Sequence, residues 1–138
     1  MLRRMLFLVL GTTVIQVVVY TILLQSGLFI EKLAYIPKHG VVNWGLTILY
    51  SVVLFSEIVF SLNLLTAVIN RKWLSYAAII LAITIYVIAW GEDFDTHRYR
   101  TSFLILAGII SITIKLSIDK LFGTMYRRNS HPIGKQLF

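Results

Sequence analysis

The chain has 138 residues, 58% of them hydrophobic and 14% charged, with a mean hydropathy of +0.83. A soluble domain averages about 45–50% apolar and about 25% charged residues, so the composition argues against a water-driven globule and for an integral membrane protein. The net charge of +7 would suit a nucleic-acid binder, but the basic residues gather at the ends of apolar runs, where they read as topology signals and contacts with anionic lipid. With no cysteine, disulfides, thiol redox chemistry and cysteine metal sites are excluded.

The first apolar run is residues 5–24, behind Arg3 and Arg4. It is too long for a signal-peptide core and no A-x-A-like site follows, so a retained first membrane helix is expected. Its polar residues include Thr12, Gln16 and Tyr20, which share one helical face at i,i+4 spacing. The stretch that follows, GLFIEKLAYIPKHG, has a helical apolar face at Phe29, Leu33 and Ile36. It is read as a short helix in the membrane interface ending near Pro37 and Gly40, with an irregular loop as the alternative.

The second span is residues 42–69 and contains VLFSEIVFSLN. Glu57 is the charge within it, about 20 Å along a helix axis from Trp44. A carboxylate near mid-bilayer costs at least a few kcal/mol unless paired, hydrated or protonated, which makes it a functional candidate by default. The plainer reading is a glutamate that joins helices by hydrogen bonds. Tyr50 and Ser61 share its face, at i−7 and i+4. Asn70, Arg71 and Lys72 then form a very short turn, so the second and third spans are expected to be antiparallel neighbours.

The third span, residues 73–90, offers Thr84 and Tyr86. The loop GEDFDTHRYR follows. Asp93, Asp95 and His97 at two-residue spacing form a weak external cation site, against the simpler reading of a solvated, salt-bridged loop. The fourth span is residues 102–122 and carries Lys115. Two partners are open to this lysine: Glu57 across the bundle, or Asp119 four residues on along its own helix. The tail, residues 123–138, is basic, and attraction to anionic lipid is its expected role.

Four runs of this length must be helices, because a helix satisfies its own backbone in lipid. Arg3, Arg4, Arg71, Lys72, Lys120, Arg127, Arg128 and Lys135 all fall on one side, while acidic residues offset the basic ones on the other. The positive-inside rule then places both termini in the cytoplasm. The expected architecture is all-α: a single-domain, antiparallel four-helix membrane bundle, N-in and C-in, in the bacterial cytoplasmic membrane. Gln16, Tyr20, Tyr50, Glu57, Ser61 and Lys115 form its expected intramembrane polar site, with Gln16 and Tyr20 as hydrogen-bond partners of Glu57. The bland reading of this layer is interhelical hydrogen bonding.

The segment EIVFSLNLLTAVINR-KWLSYAAIILAITI resembles the second and third spans of the DoxX/MauE-like small four-helix membrane proteins, through Glu57, Leu64 and Arg71. Ser26, Gly27 and Lys32 are similar to the serine-glycine-then-lysine signature of that group. The resemblance covers about residues 20–115. It implies a four-helix antiparallel bundle and a subunit or helper of a membrane redox system. Asn70-Arg71-Lys72-Trp73 also resembles the end of the second span in GtrA-like proteins, which are implicated in moving polyprenyl-phosphate sugars.

Phosphate loops, Ser-His-Asp sets and zinc motifs are absent, and no catalytic residue, metal or cofactor is expected. The first expectation is a non-catalytic subunit or assembly helper of a larger membrane complex. Its partners would be the bilayer, other membrane subunits and anionic lipid, with no nucleic acid. The second is a small proton- or cation-coupled transporter or lipid-carrier translocator using Glu57. An enzyme acting on a lipid or quinone is third.

Overall fold

A computed structural model describes the backbone of residues 2–33, 41–69, 71–92, 95 and 98–129, and the side chains of 2–27, 46–69, 71–92, 95 and 98–122. The described residues are all-helical outside the turns. The helices are α1 (Leu2–Leu33), α2 (Val41–Val68), α3 (Lys72–Gly91) and α4 (Arg98–Asn129). All four are long and apolar enough to cross a membrane, over Leu2–Gly27, Leu46–Val68, Lys72–Gly91 and Arg98–Phe122. Even the shortest, 20 residues, reaches about 30 Å at 1.5 Å per residue.

Two helices overrun the apolar runs that announce them. α1 passes through Gln25, Ser26 and Gly27 to Leu33, so the start of the expected interfacial helix is the last part of α1. One mid-helix glycine costs only about 1 kcal/mol relative to alanine, too little to stop a long helix. Gly27 also faces the Phe103 ring so closely that a Cβ there would enter the ring. The missing side chain lets α4 approach. α4 begins at Arg98 and ends at Asn129, beyond the apolar limits at both ends, because no proline interrupts its polar turns. Residues 34–40, where the rest of the interfacial segment falls, lie outside the described residues, as do His39 and His131.

The helices form a ring in chain order. α1 packs on α2 and α4, α3 packs on α2 and α4, and α2 and α4 approach briefly across the middle. Contacts fix the register. Tyr20 of α1 meets Phe55 of α2, while Thr13 and Gln16 meet Asn63, so residues later in α1 face residues earlier in α2.

An aromatic layer holds the centre. The Tyr20 and Phe55 rings stack with centroids 4.0 Å apart, and the Tyr86 ring stands edge-on to both, at 6.2 and 5.8 Å. The two contacts of Tyr86 are the edge-to-face geometry that aromatic quadrupoles favour. Tyr86 comes close to α4 because Gly108 has no side chain; a Cβ at Gly108 would lie within the Tyr86 ring. The Tyr86 hydroxyl donates to the Leu104 carbonyl at 3.0 Å. A phenol has one proton, so Tyr20 is the donor in the Tyr20–Tyr86 hydroxyl contact at 2.5 Å. This pair joins α1 and α3 across the diagonal.

The outside is apolar as well. Phe7, Leu10 and Val18 on α1, Ile80 and Ile88 on α3, and Leu106 on α4 are all exposed. A surface of this kind is unusual for a soluble monomer.

Candidate functional site

The sequence marks six intramembrane polar residues. The structure divides them between the inside and the outside of the ring. Gln16 and Tyr20 are fully buried and Lys115 is 4% exposed, whereas Tyr50, Glu57 and Ser61 all lie on the outer surface of α2.

The inner set is a connected network. Asn63 Nδ2 donates to Thr13 Oγ1 and to Gln16 Oε1, both at 2.9 Å. Gln16 Nε2 donates to the Ser111 carbonyl at 3.0 Å. Thr13 Oγ1 gives its own proton to the Val9 carbonyl at 2.7 Å. Three helices are thereby tied at one level. The scheme also fixes the amide orientations, because both groups that Asn63 Nδ2 approaches are acceptors. Asn63 Oδ1 is left over: it is buried and has no hydrogen-bond partner.

Asn63 is absent from the residues singled out in the sequence. The signal available is an amide inside an apolar span, six residues beyond the charged Glu57. Tyr86 is likewise more central than its sequence setting suggests.

Lys115 pairs with Asp119, with Nζ at 3.1 Å from Oδ2 and 3.3 Å from Oδ1. Of the two partners open to it in the sequence, the same-helix neighbour is the one it meets. Glu57 does not reach it, for two reasons. Glu57 faces outward. It also lies at a different level: Asn63 and Ser111 are level through Gln16, Lys115 is about 6 Å from that level in one direction, and Glu57 is about 9 Å from it in the other. The expectation that Gln16 and Tyr20 are partners of Glu57 is corrected on the same grounds. Gln16 bonds to Asn63 and Ser111, and Tyr20 bonds to Tyr86. Glu57 has no hydrogen-bond or ion-pair partner among the described residues.

Glu57 stands at the midpoint of the Leu46–Val68 span. Its surface neighbours along the outer stripe include Tyr50, Val53, Phe60 and Leu64, all exposed. The face is an apolar strip with one carboxylate, a serine and a tyrosine. Of the external cation candidates, Asp95 is exposed, while Asp93 and His97 lie outside the described residues. Among the described residues, no three His, Asp or Glu side chains gather in a metal-binding group.

No protein-family model matches the chain, and neither the curated proteins nor the solved structures contain a significant match to it.

Proposed function

We propose that the chain is a non-catalytic integral membrane subunit or assembly factor, and that α2 is the face it presents to a partner protein. The observation that carries this reading is the exposed Glu57 at mid-span. In a bilayer that carboxylate would face acyl chains. An ionised side chain at the centre of a membrane helix costs about 2.5–3.5 kcal/mol on insertion scales. A neighbouring protein that brings a hydrogen-bond donor or a cation to this depth offsets the cost. Tyr50 and Ser61 on the same face supply further polar contacts, and apolar Val53, Phe60 and Leu64 supply packing area.

In this reading the ring inserts as an antiparallel bundle with both termini in the cytoplasm. Support comes from the basic residues at one end and from Trp73 and Tyr99, exposed near helix starts at the two membrane boundaries. The bacterial cytoplasmic membrane is the proposed location. An antiparallel four-helix bundle is also what the DoxX/MauE-like resemblance implies. The transporter reading has less support, because Glu57 and Tyr50 are outside the ring while Gln16 and Tyr20 are inside, so they line no common path.

The absence of cysteine makes single-cysteine variants unambiguous. Phe60→Cys, cross-linked in native membranes, is expected to give one discrete adduct with a different protein. The adduct should vanish when Glu57→Leu is added. A homodimer adduct, or a Phe60→Cys protein that only lipid reaches, ends the proposal.

A further inference from the structure

At the Lys115 end of the ring lies a cavity of about 280 Å³, near the lower limit for small-molecule pockets. All four helices line it, with Thr12 from α1, Thr66 from α2, Ser75 from α3 and Lys115 from α4. Thr12 and Lys115 are brought to one depth. Gln16 of α1 bonds to Ser111 of α4, and the two helices run antiparallel, since Gly27 meets Phe103 on the far side of that bond. Thr12 comes four residues before Gln16, and Lys115 four residues after Ser111. Each therefore lies one turn, about 6 Å, from the bond in the same direction, on the same face as the residue that makes it.

Thr12 differs from its neighbours in what its hydroxyl does. Thr13, Thr21, Thr66, Thr84 and Thr113 each give the hydroxyl proton to a carbonyl of their own helix. Thr12 is 6% exposed, and its hydroxyl has no hydrogen-bond partner among the described residues. Unlike the sealed Ser111 hydroxyl, its oxygen keeps accessible surface, and the cavity is the space Thr12 lines. Lys115 is a buried ammonium with three N–H donors, and Asp119 is its one partner among the described residues. The Asp119 side chain is 49% exposed.

The donors select the ligand class. An ammonium and a hydroxyl with an unused proton, one above the α1 side and one above the α4 side of a single bond, suit a pair of anionic oxygens. Asp119 already shows what Lys115 takes, which is one carboxylate. An incoming carboxylate can replace it without changing the charge beside the buried ammonium, and it gains the Thr12 hydroxyl as well. The displaced Asp119 turns to water, and a pair with one half-exposed member loses little on opening. Arg71, Lys72 and Lys120 are exposed at the same end and raise the local concentration of anions. Met5, Val9 and Phe122 give the cavity an apolar wall, so the body of the ligand is apolar.

We propose that this cavity binds an apolar monocarboxylate, with its carboxylate on Lys115 and Thr12, and that Asp119 occupies the ammonium when the site is empty. The inference is independent of the partner face, since Glu57 lies outside the ring and about 15 Å away in depth.

The test is a ligand-observed NMR titration of the full chain in zwitterionic nanodiscs. Hexanoate is the probe, hexanamide its uncharged analogue, and empty nanodiscs the blank. Hexanoate is expected to bind at least about tenfold tighter than hexanamide, and Lys115→Gln should remove the difference. Thr12→Val should weaken hexanoate by about tenfold, the scale of one hydrogen bond to a charged group, and Thr12→Ser should restore it. These two variants change little in volume and keep the idea testable should Lys115→Gln not fold. Asp119→Asn removes the internal competitor, so it should tighten hexanoate and leave hexanamide unchanged. Dodecanoate carried in the nanodisc lipid supplies the last arm. Displacement of hexanoate by it assigns the site to membrane carboxylates, and hexanoate binding that it leaves intact assigns the site to soluble ones. Equal binding of hexanoate and hexanamide, a Thr12→Val chain that binds hexanoate undiminished, or an Asp119→Asn chain that binds it no more tightly overturns the proposal. A loss on Lys72→Gln as large as that on Lys115→Gln does the same, because it would reduce the effect to general attraction by the basic end.

Discussion

Gly108→Ala puts a single methyl group where the Tyr86 ring now lies. The ring cannot yield easily, because its hydroxyl is held by Leu104 and Tyr20 and its edge by Phe55. Overpacking of this kind costs about 1–3 kcal/mol. Displacing the phenol also breaks two hydrogen bonds, each worth about 0.6 kcal/mol in a membrane protein. Against this, alanine is the better helix former by up to about 1 kcal/mol. The net expectation is a loss of about 1–3 kcal/mol. In a Tyr86→Leu background the ring is gone and only the helix-propensity gain remains, so Gly108→Ala should stabilise by about 0.5–1 kcal/mol. In a Tyr86→Phe background the ring persists and the substitution should still destabilise. The double-mutant cycle is read by reversible unfolding in mixed micelles or by steric trapping in bicelles. The reasoning fails if Gly108→Ala has the same sign with leucine at 86 as with tyrosine.

Further outcomes follow from the polar layers. Tyr86→Phe should destabilise more than Tyr20→Phe, because the first removes both the bond to the Leu104 carbonyl and the contact with Tyr20, whereas the second leaves the Tyr86–Leu104 bond in place; equal losses in the same unfolding assay would show that the proton is not placed as argued. Gln16→Leu removes the bonds to Asn63 and Ser111 and leaves a buried Asn63 N–H without an acceptor. A loss of about 1–3 kcal/mol is expected, and adding Asn63→Leu should cost less than it does alone, which a double-mutant cycle measures. Glu57→Leu should change the stability of the isolated protein by no more than about 0.5 kcal/mol, since the exposed carboxylate has no partner within the described residues; a large loss in the purified chain would mean that Glu57 serves its own fold.

The four helices were legible in the sequence because length and oiliness alone decide them, and those two properties survive any uncertainty about neighbours. Their ends were less so: the run from Gln25 to Leu33 is too polar to continue an apolar span yet has nothing in it that breaks a helix. The site was legible only as a membership. Gln16, Tyr20 and Lys115 are polar residues in apolar spans and could be named, but their partners could not. Hydrophobic patterning tells inside from outside when one face is oily and the other wet. Here Phe60 on the exposed side of α2 is as apolar as Phe55 on the buried side, so nothing in the pattern says that Asn63 turns inward and Glu57 outward. At 3.6 residues per turn these two residues lie about 120° apart around the helix, and their directions are decided by which neighbour offers an amide. The choice between Glu57 and Asp119 as the partner of Lys115 was hidden for a related reason, since α4 starts at Arg98 and its depth is tied to the bond from Gln16.

The three packed rings have a consequence for traffic through the molecule. Tyr20, Phe55 and Tyr86 fill the axis where all four helices meet, and the Gln16–Asn63–Ser111 crosslink closes the next level below them. A solute entering beside Lys115 therefore arrives in a cul-de-sac with an amide floor and an aromatic stopper behind it. Onward passage would require rotating a ring and severing hydrogen bonds to a helix backbone, so the recess is closed at its inner end.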